Sequence, residues 1–70
     1  MTQLNIDKLK EAKRALWLAR EALGDVCIRT PLGQDDDALF YIGRARASAD
    51  SAYNCIECAL CHVKEVPNHD

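Results

Sequence analysis

The sequence lacks the features that define several large classes of protein. It has no apolar run close to the roughly 20 residues that cross a bilayer, no glycine-rich phosphate loop, and no apolar signal segment near its N-terminus. Its formal net charge of −2 gives no broad positive field that would attract nucleic acid or an acidic membrane. We therefore expect a cytoplasmic protein whose four cysteines are reduced thiols.

Glycine and proline are also missing between Arg44 and Val66, within the most regular part of the chain. Apolar residues recur there at alternating steps of three and four, which is a seven-residue repeat. They are Ala38, Ile42, Ala45, Ala49, Ala52, Ile56, Ala59, Val63 and Val66. The acidic residues 35–37 precede them and can cap the N-terminus of a helix. The pattern predicts a helix over residues 37–65.

A shorter repeat of the same kind comes earlier in the chain and predicts a helix over residues 6–23. Thr2 or Asn5 can cap its start, and Gly24 stands where a left-handed C-terminal cap is expected. Its apolar stripe is Leu9, Ala12, Leu16, Ala19, Leu23 and Val26. Residues 27–34 break the repeat and contain Pro31 and Gly33, which indicates a connecting loop.

Two such helices predict an all-α fold, a two-helix antiparallel hairpin that forms one domain over residues 1–70 with a frayed tail over 66–70. We expect the leucines of the first helix to lie over the alanines of the second. The second helix is predicted to be longer by roughly ten residues, so part of its stripe lacks a neighbour. Because a hairpin of this size is also marginally stable, we expect two copies to associate into a four-helix arrangement.

Several side chains are predicted to face outward, where they have no structural role in the hairpin. Trp17 lies about 140° from the centre of the first stripe, at 100° per residue, among basic residues that include Arg14 and Arg20. It either covers a dimer interface or acts as a recognition anchor, since tryptophan and arginine are enriched in binding hot spots. Phe40 and Tyr41 stand near the start of the second helix. With Arg44 they form a second candidate contact patch, although Tyr41 fits a half-buried position at the edge of the core slightly better.

The second helix carries a further stripe on the side opposite its core. We refer to it as the back stripe, and its members after Phe40 and Arg44 are small and weakly polar. They are Ala47, Ser51, Asn54, Cys58 and Cys61. A simply solvated face would carry lysine and glutamate. The back stripe is therefore predicted to pack against a second copy or a foreign protein.

The cysteines near the end of the chain allow three kinds of cofactor site. Cys58, Cys61 and His62 match the haem-attachment spacing. A haem of this kind needs a second axial ligand, however, and the only methionine of the chain is the initiator. An iron–sulfur cluster would need Cys27, which lies near the other end of the second helix. Zinc could use Cys55, Cys58 and His62 on one helical face, although three ligands on one helix rarely close a tetrahedron. We favour no cofactor, with the cysteines acting as small apolar contacts.

The predicted fold also bears on enzyme activity and nucleic-acid binding. A two-helix hairpin has no concave pocket that would desolvate a substrate, so we do not expect an enzyme. The basic residues of the first helix are offset by acidic ones, and both the loop and the second helix are too long for a helix-turn-helix. A protein-binding role is left, with a small metal-binding helical module as the alternative.

In size, hairpin layout and the segment over residues 35–50, DDDALFYIGRARASAD, the chain resembles small phage-encoded inhibitors, above all the anti-quorum-sensing proteins of temperate phages. The resemblance implies a homodimer that binds the ligand-binding domain of a LuxR-type regulator and keeps it off DNA. It also implies inhibition of a pilus-assembly ATPase of the host. That group uses an arginine of the first helix and a tyrosine early in the second, which Arg14 or Arg20 and Tyr41 would match. The cysteine cluster is not a feature of that group.

Overall fold

The computed structural model describes residues 1–63, which form two α-helices joined by a short loop. Helix α1 spans Gln3–Arg29, helix α2 spans Asp36–His62, and each has 27 residues. The described residues contain no strand, so the predicted all-α helical hairpin is confirmed. None of their helices has a stretch long and apolar enough to cross a membrane. The tail predicted over residues 66–70 lies outside the described range.

Helix α1 has the predicted Thr2 cap, but it begins at Gln3, before the predicted residue 6, and it ends later than predicted. The Thr2 hydroxyl accepts a hydrogen bond of 3.3 Å from the backbone N–H of Asn5, which caps the N-terminus. The predicted end at residue 23 is wrong, because Gly24 is buried within the helix. Pro31 is the actual stop signal. A proline disfavours helical geometry in the residue before it, and Thr30 is extended with φ −86° and ψ 123°.

The loop reverses the chain with two left-handed residues. The backbone N–H of Gln34 donates a 3.4 Å hydrogen bond to the carbonyl of Pro31, which closes a turn. Gly33 lies inside that turn at φ 87°, where glycine has no steric cost. Asp35 follows at φ 52° and leads directly into α2.

Helix α2 starts at the predicted acidic run, but its cap uses the backbone alone. Asp35 is the N-cap residue, yet its side chain makes no capping hydrogen bond. Asp36 and Asp37 lie in the first turn, where their charges favour the positive end of the helix dipole. The helix ends at His62, before the predicted residue 65. The two helices are therefore equal in length, and the predicted excess of the second is wrong.

The face that each helix buries is rotated relative to the predicted stripe. Leu9, Leu16 and Leu23 face α2 as predicted. The alternate positions of the seven-residue repeat, however, are filled mostly by residues other than the alanines. They are Ile6, Lys13, Arg20 and Cys27 in α1, and Leu39, Tyr53 and Leu60 in α2, while the exposed Arg46 lies against Gly24. Their longer aliphatic or aromatic portions cover more apolar surface than an alanine methyl group can.

The predicted contact between leucines and alanines is therefore only partly right. Ala49 is buried at 9% exposure and Ala52 is half-buried, whereas Ala45 and Ala59 are exposed. Ala12 and Ala19 of α1 are exposed as well. The exposed alanines lie beside the interface between the helices and not within it.

The buried core of the described residues is very small. Ile6 is 2% exposed, and only Ala49 and Gly24 join it in the buried class. Large apolar side chains remain in solvent, and those beyond the first residue are Leu4, Trp17, Leu18, Val26, Ile28, Leu32, Phe40 and Tyr41. A hairpin with so little burial has a small margin of stability.

Replacing Ile6 with alanine should therefore destabilise the fold far more than replacing an exposed leucine. We expect Ile6→Ala to lower the free energy of unfolding by about 2–4 kcal/mol, because it removes a fully buried side chain. Leu32→Ala is the matched control, since Leu32 is 98% exposed and its change should stay within about 0.5 kcal/mol. Urea unfolding, followed by helical circular dichroism at one protein concentration, measures both. Equal losses in the two variants would contradict this assignment of the core.

Candidate protein-binding surface

An aromatic pair links the two helices near their middle. The rings of Trp17 and Tyr53 have centroids 5.6 Å apart and are tilted by 48°. Trp17 was predicted on the outer face of α1, but the rotated interface brings it to the edge of the contact with α2. Its side chain is still 42% exposed. Trp17 therefore supports the hairpin with one part of its ring and presents the other part to solvent.

Two ion pairs flank this aromatic pair. The Lys13 ammonium lies 3.7 Å from a Glu57 carboxylate oxygen, and Arg20 Nε lies 3.3 Å from Asp50 Oδ1. Both cations also approach the rings, with Lys13 5.6 Å from the Tyr53 centroid and Arg20 4.9 Å from that of Trp17. All four charged side chains are partly exposed, so each ion pair contributes no more than about 1 kcal/mol. The pairs orient the aromatic side chains more than they stabilise the fold.

These contacts share one antiparallel register. In four of the cross-helix pairs, the two residue numbers add to 70. The pairs are Lys13 with Glu57, Trp17 with Tyr53, Arg20 with Asp50, and Gly24 with the Arg46 guanidinium. A Cβ atom on Gly24 would lie 3.4 Å from the guanidinium carbon of Arg46, so the absence of a side chain lets this arginine lie against α1.

A shallow cleft lies beside the aromatic pair. It encloses about 230 Å³ and is lined by Lys10, Lys13, Arg14, Trp17 and Tyr53, which we call the Trp17 cleft. Two of the residues predicted from sequence to bind a partner thus share one depression. The third predicted residue of α1, Arg20, contacts the Trp17 ring and lines a second depression.

That second depression encloses about 250 Å³. It is lined by Arg20, Gly43, Arg46, Ala47 and Asp50. Gly43 is open to this space, since nothing lies within 4 Å of where its Cβ would be. The side of the hairpin that carries Trp17 therefore has two adjacent concave regions, both with arginine or lysine at their rims.

The second predicted contact patch lies near the loop. The Phe40 and Tyr41 rings are 5.4 Å apart in an edge-to-face arrangement, and the Arg44 guanidinium lies 5.9 Å from the Phe40 ring. Phe40 is 61% exposed and Tyr41 is 66% exposed. The half-buried position considered for Tyr41 is thus wrong. Twelve residues separate Tyr41 from Tyr53, about 18 Å along the helix, so this patch is distinct from the Trp17 cleft.

The back stripe of α2 faces solvent in the described hairpin. All five of its predicted packing residues are exposed: Ala47, Ser51, Asn54, Cys58 and Cys61. Cys55 is also an exposed free thiol, whereas Cys27 is partly covered. Across residues 1–63, no three side chains of His, Cys, Asp or Glu are grouped so that they could hold a metal ion. The alternative ligand set of Cys55, Cys58 and His62 does not converge in the single chain.

Tyr53 is the site residue that sequence reasoning did not single out. The signal was present, because Tyr53 stands seven residues from both Arg46 and Leu60 in the repeat that α2 turns toward α1. Its pKa is raised above the ordinary value of 10.0. The main cause is the interaction of its hydroxyl with the Glu57 carboxylate, and desolvation and the negative charge of Glu57 act in the same direction. Arg20 opposes the shift.

No family model, curated protein or solved structure matches the chain. Its role is therefore inferred from the chemistry of its surface and from the resemblance described above. Three surfaces are candidates for binding another protein: the Trp17 cleft, the aromatic patch near the loop, and the back stripe of α2.

Removing the Glu57 carboxylate should lower the pKa of Tyr53. In a Tyr41→Phe background Tyr53 is the only phenol, so tyrosinate absorbance reports it alone. We expect a midpoint above pH 10.0 that moves down in Glu57→Gln, because the neutral phenol loses its carboxylate partner. The raised pKa favours folding below pH 10.0, and this contribution is lost as the pH rises through the folded-state pKa. Glu11→Gln is the control, since Glu11 pairs with Lys8 instead. An unchanged midpoint in Glu57→Gln would contradict the contact.

Proposed function

We propose that this protein is a non-enzymatic inhibitor that acts as a homodimer by binding a regulatory protein in the cytoplasm of a host cell. The observation that carries the proposal is the imbalance between core and surface. Two large aromatics of the hairpin are more than 60% exposed, and Ile6 is the only large side chain within residues 1–63 that is fully buried. Exposed aromatic and aliphatic groups in this proportion are typical of protein-interaction surfaces.

The exposed back stripe supports the homodimer. It runs along α2 on the side that α1 does not cover, and it offers small side chains and thiols instead of lysine and glutamate. Small residues at seven-residue spacing allow two helices to approach closely. A second copy placed there would give each α2 two neighbours and produce a four-helix arrangement.

The two aromatic–arginine clusters support partner binding. The Trp17 cleft includes Arg14 and adjoins Arg20, and the patch near the loop joins Phe40 and Tyr41 to Arg44. Tryptophan, tyrosine and arginine provide large contact areas with few rotatable bonds or with fixed hydrogen-bond geometry. Both clusters leave one part of each ring free for a partner.

The class of partner comes from the resemblance to phage inhibitors. We propose a LuxR-type transcriptional regulator as the first protein to test, and a pilus-assembly ATPase as the second. In this view Tyr41, with Arg14 or Arg20, makes the decisive contacts. Binding would prevent the regulator from engaging DNA without any chemical step.

A charge placed in the middle of the back stripe should separate the dimer. We expect the native protein to sediment at twice its chain mass of 7.8 kDa at micromolar concentration. Ser51→Glu should shift it to the monomer mass, because an interface would bury the new carboxylate without a partner. Ala15→Glu on the exposed surface of α1 is the matched control. A native monomer would refute the dimer, and dissociation by Ala15→Glu alone would place the interface on α1.

Truncating Tyr41 should weaken partner binding and leave the fold intact. We expect Tyr41→Ala to raise the Kd for the regulator's ligand-binding domain by about 30-fold or more, as for a hot-spot aromatic. Leu18→Ala, an exposed residue outside both clusters, should change it less than about 3-fold. Calorimetry gives the Kd, while circular dichroism and sedimentation check the scaffold. Loss of helicity or of the dimer in Tyr41→Ala would make this residue part of the scaffold. Absence of binding by the native protein to both candidate partners, and to any protein retained from host lysate, would contradict the inhibitor role.

A further inference from the structure

The Trp17 cleft carries more positive charge than its neighbours neutralise. Three of its five lining residues are Lys10, Lys13 and Arg14. Lys13 is paired with Glu57, whereas Lys10 and Arg14 form no ion pair with any residue between 1 and 63. Because they are four positions apart on α1, their side chains lie on the same side of the helix, one turn apart. In a chain of net charge −2, this leaves two cations directed at one small cleft.

The wall of the cleft between these charges is aromatic. One part of the Trp17 ring is covered by Arg20 and Tyr53, and 42% of the side chain stays exposed beside Lys10 and Arg14. An indole held by neighbours on one side loses little conformational freedom when a ligand covers the other side. The cleft therefore combines a preorganised apolar surface with two cations that can bind carboxylates.

We propose that the Trp17 cleft binds an acidic segment of a protein, with carboxylates on Lys10 and Arg14 and an apolar side chain on the exposed part of Trp17. The proposal rests on the protein-binding role argued above and specifies the chemistry that one of its surfaces recognises. Charge complementarity selects this occupant. Arg14 can hold a carboxylate through two parallel N–H···O bonds, and Lys10 supplies a mobile point charge beside it.

Nucleic acid fits the same cleft less well. Proteins that hold a nucleic acid backbone often make six to ten phosphate contacts, and only two cations are unpaired here. Glu57 and Asp50 also lie next to the cleft and would repel a phosphate chain that extended along the hairpin. A short carboxylate-bearing segment avoids both difficulties, because it needs few contacts and ends within the cleft.

The native protein can be tested with a short peptide that alternates glutamate with leucine, added at low salt. Trp17 is the only tryptophan, so its fluorescence reports the cleft directly. We expect saturable quenching or a blue shift that weakens as salt is raised, because the charges are exposed and screened. The same peptide with glutamine in place of glutamate should bind much more weakly.

Lys10→Gln combined with Arg14→Gln should lower the affinity for the glutamate peptide by roughly 3- to 30-fold, as expected for the loss of two exposed ion pairs. Lys8→Gln combined with Arg29→Gln is the matched control, since it removes the same charge from positions outside the cleft. Equal weakening in both double variants would overturn the proposal, as would no fluorescence change at millimolar peptide. If an oligothymidylate bound more tightly than the acidic peptide, the cleft would be a phosphate-binding site and the proposal would be wrong.

Failure of the acidic-segment proposal can be distinguished from failure of the proposed inhibitor function. If Tyr41→Ala loses the partner while the Lys10 and Arg14 double variant keeps it at native affinity, the inhibitor role stands and the acidic-segment proposal fails. If the native protein binds the acidic peptide but none of the candidate partners, the cleft chemistry stands and the partner class is wrong.

Discussion

Each helix of a two-helix hairpin has a single neighbour, and the structure depends on that constraint. A helix can bury only the side chains that face its partner, so most of the apolar surface of α1 and α2 stays in water. The buried class among residues 1–63 is limited to Ile6, Gly24 and Ala49. Long amphipathic side chains therefore lie at the interface between the helices. Lys13, Arg20 and Arg46 cover the contact with their stems while their charged ends remain exposed or ion-paired.

The same constraint explains why the candidate site lies where it does. Aromatic rings too large to be enclosed by two helices remain partly exposed at the edge of the contact, as Trp17 and Tyr53 do. The charged side chains beside these two rings hold them in place and leave the surface accessible to water. The result is a cleft whose shape is set by the hairpin and whose chemistry is free for recognition. Contacts with Tyr53 and Arg20 thus cover part of the Trp17 indole, and the rest of it stays exposed.

The fold class and the presence of two helices could be predicted from the spacing of apolar residues, and Thr2 could be recognised as a cap. The helix ends were harder. Gly24 looked like a terminator, but glycine costs only about 1 kcal/mol inside a helix, and the packing of Arg46 against it favours that position. Pro31 was the stronger signal, because its ring restricts the residue before it. A mid-helix glycine and a following proline need to be weighed together.

The candidate site was predicted less completely than the fold. Arg14, Trp17 and Phe40 stood out as residues outside the apolar stripe, whereas Tyr41 was placed at the edge of the core. That stripe was only partly right, however, because two seven-residue repeats overlap in each helix. One repeat uses alanines, and the other uses Lys13, Arg20 and Tyr53, which count as polar or aromatic in a hydropathy pattern although much of their surface is apolar. A pattern built from residue types cannot show which atoms of a long side chain are buried, so Tyr53 was missed.

The constant register of the cross-helix pairs has a consequence for how the hairpin selects its alignment. The seven-residue repeat by itself would tolerate a slide of one heptad, about 10 Å, since apolar residues would meet apolar residues again. A slide in one direction keeps an ion pair between Arg20 and Glu57 but sets Tyr53 opposite Gly24. A slide in the other direction keeps Lys13 with Asp50 but leaves Arg20 facing Gly43. Either misalignment loses the indole–phenol contact, so a few polar and aromatic positions distinguish one arrangement from its near-equivalents.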